Sequence, residues 1–351
     1  MKVQKTKIAA LEKCYAVAPL LWHGAPHYLV SAERQGPCYL FDENGAIADT
    51  VWNGPGGVMT MLQVPGRDGV FLATNLFFSP NESAAAKIVL AQQDAGGRWG
   101  TRTLLELPFV HRFGILERGG VKYLIACTLK SAHRFENDWS APGKVLAAVL
   151  PDDLDAFGTD PGKKPLVLDV VRDGMLKNHG YVPRREDGMD TCLVSCDSGV
   201  YRFVPPAAPG APWEVTHLCP DAASDAVLVD LDGDGSEELI TISPFHGNQI
   251  SIYRKTAAGY TEKAYHYDTA YFAHSIYGGT LLGRPVAIIG HREGARDLLA
   301  FTWDAAGCFA AEVLDHSCGS ANICKFLRGG QEVLLSANRE SDEVALYTFA
   351  E

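Results

Sequence analysis

A turn ending in glycine recurs along this chain at a spacing close to fifty residues. Asp42-Glu43-Asn44-Gly45, Asp94-Ala95-Gly96-Gly97, Thr256-Ala257-Ala258-Gly259 and Asp304-Ala305-Ala306-Gly307 each stand between two apolar runs. Gly45 and Gly97 are 52 residues apart, and Gly259 and Gly307 are 48 apart. Between the turns lie short runs rich in Val, Ile, Leu, Tyr and Phe, without the 3.6-residue periodicity of an amphipathic helix. The chain therefore reads as all-β, and a period near fifty in an all-β chain is that of four-stranded antiparallel propeller blades.

At that period 351 residues make about seven units. The expected architecture is a seven-bladed β-propeller, a single domain over residues 1–351. Its blades fall at about 12–56, 57–108, 109–176, 177–222, 223–271, 272–318 and 319–351. The last unit holds only three strands, Ile323 to Leu327, Glu332 to Ser336 and Glu343 to Phe349. Val3 to Leu11 has no other partner, so the N-terminal strand is expected to complete that blade, close the ring and remove two open sheet edges. Two segments break the rhythm, Ser131 to Gly143 and Pro151 to Pro165, and long loops in compact domains are often functional.

Charge and cysteine usage narrow the class of partner. With 42 Asp and Glu against 31 Lys and Arg the net charge is -11, and no basic run offers a phosphate track, so nucleic acid is excluded. No stretch reaches the roughly 20 apolar residues that span a bilayer, so no membrane is expected. The 9 Cys are scattered and lack zinc-site spacing, which points to reduced thiols in a cytoplasmic protein.

A second repeat organises the polar residues. His111 and Thr128, His179 and Cys196, and His274 and His291 are each 17 residues apart, and Asn322 and Asn338 are 16 apart. Each pair flanks a strand, a tight turn and a strand. In an antiparallel blade this puts both members on one rim, where His246 also falls. Converging neutral imidazoles suit Zn, Mn, Fe or Ni, and His179, His246, His274 and His291, from three consecutive blades, are the expected ligands of a divalent metal. His111 and His133 are left as general acid or base, and Tyr181 and Tyr277 as proton donors. Arg292, Arg339 and Asn338 are placed to bind substrate polar groups, with Phe245 and Trp139 covering an apolar sugar face.

In the fifth unit, Val229 to Glu238 reads Val-Asp-Leu-Asp-Gly-Asp-Gly-Ser-Glu-Glu between two apolar strands. The segment resembles the FG-GAP/VCBS repeats of β-propellers, with their D-x-D-G-D-G loop, over this one blade. Asp230, Asp232, Asp234 and Glu238 can surround one structural Ca²⁺, a hard cation that takes six to eight oxygens. The EF-hand is excluded, because its twelfth position would be Thr241.

No nucleophile elbow, phosphate loop or dinucleotide fingerprint is present; the Gly54-Pro55-Gly56-Gly57 turn lacks the following helix. In layout the chain is similar to propeller sugar enzymes such as aldos-2-ulose dehydratases and oligogalacturonate lyases. That resemblance implies a metal-assisted lyase or isomerase acting on a small sugar, keto-sugar or uronate. The alternatives are a carbohydrate-binding propeller without chemistry and a protein-interaction scaffold. Against the first, the His-bearing blades differ from the first two, which offer Glu33 and Asn75 instead. Against the second, the dipeptides of WD repeats do not recur in register.

Overall fold

The computed structural model describes residues 1–350. It is all-β: seven antiparallel sheets in a ring, each with its first strand at the axis, and in the first six the last strand lies outermost. In chain order the blades run from Cys14 to Trp52, Met61 to Glu106, Val110 to Met175, Gly180 to Cys219, Asp225 to Tyr267, Ala273 to Asp315 and Ser320 to Ala350. The strand Lys2–Ala10 pairs antiparallel with Glu343–Ala350 and closes the seventh blade. Lys5 pins the seam by ion pairs to Asp315 and Glu343, at 2.9 and 2.6 Å.

The recurring turn is a side-chain device. In blade one the Asp42 carboxylate accepts from the backbone N–H groups of Asn44 and Ala46. Asp94 and Asp304 do the same in blades two and six, and the Thr256 hydroxyl accepts from Ala258 N–H in blade five. The glycine closing each turn is left-handed, with φ of +90° at Gly45, +78° at Gly97, +98° at Gly259 and +76° at Gly307. Side chains with a Cβ rarely adopt that conformation.

Neighbouring blades pack face to face, so the second strands are covered on both sides. Glu238–Ser243 is buried at every residue, and Met189–Cys196, Gln331–Asn338 and Val121–Thr128 are buried over their last six. That double burial is why these strands read as unbroken apolar runs instead of alternating ones. All nine cysteines are free thiols. Among the described residues no helix is long and apolar enough to cross a membrane.

Blade three departs from four strands. Lys130–Ala132 adds a short fifth strand beside Ala141–Val149, and residues 133–140 fold over between them. The buried Lys130 ammonium donates to the Asp138 carbonyl at 3.0 Å and lies 4.4 Å from the centre of the Trp139 ring. The other long loop goes elsewhere: Arg102, on the outer strand of blade two, donates to the Leu154 carbonyl, and Asp155 pairs with Arg67 and Arg102. Pro151 to Pro165 therefore braces an outer edge instead of reaching the axis.

Candidate metal centre

One residue of extra chain turns the axial side chains inward. In the first strands of blades one, three, six and seven, the pairing register skips one position, between Cys14 and Ala16, Val110 and Arg112, Ala273 and Ser275, and Ser320 and Asn322. The residues in those bulges are Tyr15, His111, His274 and Ala321. A bulge leaves its extra residue out of the ladder and re-aims its side chain. His179 stands just before the first strand of blade four, and His246 lies in the loop after the second strand of blade five.

These residues meet on the axis. His179, His246 and His274 each offer a ring nitrogen within 4.8 Å of the others. The Nε2 atoms of His179 and His246 are 3.3 Å apart. Tyr15 Oη is 2.9 Å from His274 Nε2 and 3.4 Å from His111 Nε2. His111, His179, His274 and Tyr15 are buried, and His246 is half-buried.

The opposite edges of the rings are anchored. His274 Nδ1 lies 2.7 Å from the Ala321 carbonyl, His111 Nδ1 3.3 Å from the His179 carbonyl, and His179 Nδ1 3.0 Å from Asp225 Oδ2. Carbonyl and carboxylate oxygens only accept, so each Nδ1 carries the hydrogen and each Nε2 turns a lone pair to the axis. A carboxylate or carbonyl behind the imidazole is the usual support of a metal-ligating histidine. Burial, followed by His179 and Arg112, holds His111 well below the usual imidazole range. Burial with His179 and Arg292 does the same for His246, and burial with Arg292 and His179 for His274. Burial pushes the Tyr15 phenol up to about 12, so it is a neutral O–H donor.

An aromatic stack is built around one member of the cluster. His246 lies between Phe245 and Phe272, with ring centroids 3.9 and 4.3 Å away, and the Arg292 guanidinium covers Phe272 at 4.6 Å. Trp139 meets Phe245 edge-on at 5.5 Å, and Lys177 Nζ stands within 6 Å of both rings.

Several expected site residues lie apart from this cluster. His291 is buried with both nitrogens in use: Nδ1 donates to the Glu293 carbonyl at 2.9 Å and Nε2 accepts from Asp297 N–H at 3.0 Å. It fastens a turn within blade six and has no lone pair left for an ion. Asn338 is its counterpart in blade seven, donating to Glu343 and to the Tyr347 hydroxyl. Arg292 pairs with Glu340, and Arg339 with Glu33 and Glu340, so neither is an open grip for substrate. Tyr181 is packed into the core between blades three and four, where a Cβ on Gly114 would sit 1.8 Å from its hydroxyl. Tyr277 packs against the core between blades six and seven. His133 lies edge-on to Phe109 and lines a separate polar cavity of about 580 Å³ with Arg34, Asn81 and Arg134.

The acidic loop forms at the opposite end of its blade. Carboxylate oxygens of Asp230, Asp232 and Asp234 lie within 4.8 Å of one another. Each also accepts a backbone N–H inside the loop, and Asp232 pairs with Arg254 at 2.8 Å. Glu238 sits apart from the trio, buried at the start of the next strand and accepting from Leu231 N–H at 2.8 Å. Burial raises its pKa, with Asp232 and Asp234 adding to the effect.

Tyr15, Asp225 and Phe272 complete the centre, and reasoning from sequence passed over all three. For Tyr15 the 17-residue step gives no signal, because it leads to Ala32 and not to a polar residue.

No protein-family model and no curated relative matches the chain, so the FG-GAP/VCBS resemblance stays local to the acidic loop. Among solved structures the chain is similar to a glucose dehydrogenase, with a TM-score of 0.53 and 13% identity over 99% of each chain. It is similar to streptogramin B lyase, with a TM-score of 0.53 and 15% identity over 98% of this chain and 97% of that one. The β-propeller domain of Myceliophteria thermophila Cps50 (Swd1) matches with a TM-score of 0.59 at 10% identity, over 99% of this chain and 100% of that one. At such identities the likeness carries the ring of blades and no chemistry.

Proposed function

We propose that His179, His246 and His274 hold a divalent transition metal, and that the protein is a metal-assisted lyase or isomerase of a small sugar, keto-sugar or uronate. The observation that carries this reading is the 3.3 Å separation of the His179 and His246 Nε2 atoms, with His179 Nδ1 already committed to Asp225. Two such nitrogens need a shared proton or a shared cation between them. Imidazole nitrogens about 2.1 Å from a tetrahedral ion stand about 3.4 Å apart, so the spacing fits the cation. An all-imidazole donor set suits Zn, Fe or Ni better than Mn, which prefers oxygen ligands.

When bound, the ion would supply Lewis acidity toward a substrate carbonyl and its α-proton. The protein's own groups do the rest. Asp225 and the Ala321 carbonyl orient His179 and His274. Phe245, Phe272 and Trp139 shield the centre from water. His111, outside the ligand set, can hold or pass a proton at Nε2 beside the Tyr15 hydroxyl. Proteins named glucose dehydrogenase and streptogramin B lyase have similar rings, so the fold is compatible with this class. We also propose that the acidic loop clips a Ca²⁺ through Asp230, Asp232 and Asp234. Asp230 Oδ1 is buried there without a partner.

The test is elemental analysis of the purified protein beside an ultraviolet assay for unsaturated or keto products from uronates and keto-sugars. Bound metal together with product formation is expected. Metal-free protein that converts nothing would discard the reading, and sugar binding without conversion would favour a lectin.

A further inference from the structure

Tyr15 has a place in this centre that no histidine pattern announces. It is fully buried, its carbonyl accepts from the Asn322 amide at 2.9 Å, and the Arg112 guanidinium lies 5.9 Å from its ring centre. Arg112 is itself fixed by the Met59 carbonyl at 2.7 Å and by Asn322 Oδ1 at 3.3 Å. The ring is held, and its hydroxyl has two acceptors within reach: His274 Nε2 at 2.9 Å and His111 Nε2 at 3.4 Å. Both rings are tied at Nδ1 to carbonyl oxygens, so both Nε2 atoms are lone pairs. One hydroxyl hydrogen cannot satisfy both, and the shorter contact takes it.

A metal on His274 would need the same lone pair. Resting on the metal reading above, we propose that Tyr15 is the affinity gate of the centre: its hydroxyl occupies His274 Nε2 until an ion arrives, then turns to His111 Nε2. No bond to hydrogen breaks in this step; one hydrogen bond is exchanged for another. His111 acts here as the second acceptor, which makes both residues positioning residues for the ion.

The proposal predicts a pattern that a packing role would not produce. Metal-free wild type, Tyr15→Phe, His111→Ala and the double variant are titrated with Zn²⁺ and Co²⁺, following heat of binding and the Co²⁺ visible spectrum. Tyr15→Phe frees the lone pair but also gives up the bond to His111 that follows, so the two losses offset and affinity should change by less than about twofold. His111→Ala leaves the released hydroxyl without an acceptor and should loosen binding about two- to tenfold, the range of one net hydrogen bond. In the Tyr15→Phe background the His111 change should have no effect, the mark of a coupled pair in a double-mutant cycle. Much looser binding in Tyr15→Phe would overturn the proposal by making the hydroxyl a ligand, and a His111→Ala loss that persists in the Tyr15→Phe background would overturn it by making Tyr15 a bystander. If a variant does not fold, ¹⁵N imidazole spectra of the wild type decide. The His274 Nε2 signal should pass from hydrogen-bonded to metal-bound on Zn²⁺ addition while His111 Nε2 gains a donor, and an unaltered His111 signal would overturn the gate. Wild type that binds neither ion would instead bring down the metal reading itself.

Discussion

The strand Asp225–Val229 connects two candidate cation sites of opposite construction. At one end the Asp225 carboxylate supports His179 on the axis; just past the other, Asp230 begins the acidic loop. The loop gathers oxygen donors within five residues, through turns that its own backbone N–H groups stabilise. The axial centre gathers nitrogen donors from three blades, between residues 179 and 274, and buries two of the three. A local site of hard oxygens can form wherever the turn forms. A site of neutral imidazoles exists only once the ring has closed and water has been excluded. The first should behave as a structural clip, the second as a centre whose affinity depends on distant anchors.

The largest effect expected from this contrast is at the axis. Alanine at His179, His246 or His274 should lower metal affinity by more than about 100-fold, beyond the range seen for supporting groups, whereas Asp232→Ala should leave axial metal unchanged. Metal analysis of the four variants checks this, and axial loss in Asp232→Ala would erase the distinction.

On the loop side, calcium at a hundredfold excess over its dissociation constant should stabilise the fold by about 2.7 kcal/mol. Combined Asn substitution at Asp230, Asp232 and Asp234 should abolish that gain. Thermal unfolding with calcium and with chelator reads it directly, and identical curves for the wild type would leave the loop an acidic turn with no ion.

Asp225→Asn tests whether the axial site depends on its anchors. It keeps the shape but weakens the acceptor behind His179, and metal affinity should fall by about 10- to 100-fold. An unaltered affinity would show that the carboxylate serves the strand alone.

His291→Ala sharpens the comparison from within the axial rim. It should cost of order 1 kcal/mol in stability by leaving Asp297 N–H unpaired, with metal content intact. Loss of metal in that variant would return His291 to the ligand set.

The smallest effect concerns the charged groups beside the aromatic stack, where Arg292 covers Phe272 and pairs with Glu340. Burial alone would raise the Glu340 carboxyl, but Arg292 and Arg339 hold it below its ordinary 4.5. Its contribution is therefore complete above about pH 4.5 and is lost as pH falls through the lower folded value. Glu340→Gln should lose stability at neutral pH and show a shallower decline in acid than the wild type. Parallel pH profiles of melting temperature would deny the ion pairs any part in holding this edge of the stack.

Much of the fold was legible in the chain because its signals are local. The Asp-x-x-Gly turns, the unbroken apolar second strands and the unpaired segment Val3 to Leu11 each reflect hydrogen bonding or burial decided within a few residues of sequence. The 17-residue spacing was legible too, and it placed both members of each pair on one rim. It could not tell the axial member from the one that fastens a turn: His274 faces the axis while His291 spends both nitrogens on its own blade. Nor could it show that Tyr15 stands level with His111 and His274, because a tyrosine in an apolar run looks like core. Those choices were made by a one-residue bulge, which turns a side chain out of the sheet, and by ring closure, which brings Tyr15 to hydrogen-bonding distance of His274, 259 positions away. Local hydrogen bonding wrote the blades into the sequence; convergence of separate blades on one axis is a property of the assembled ring.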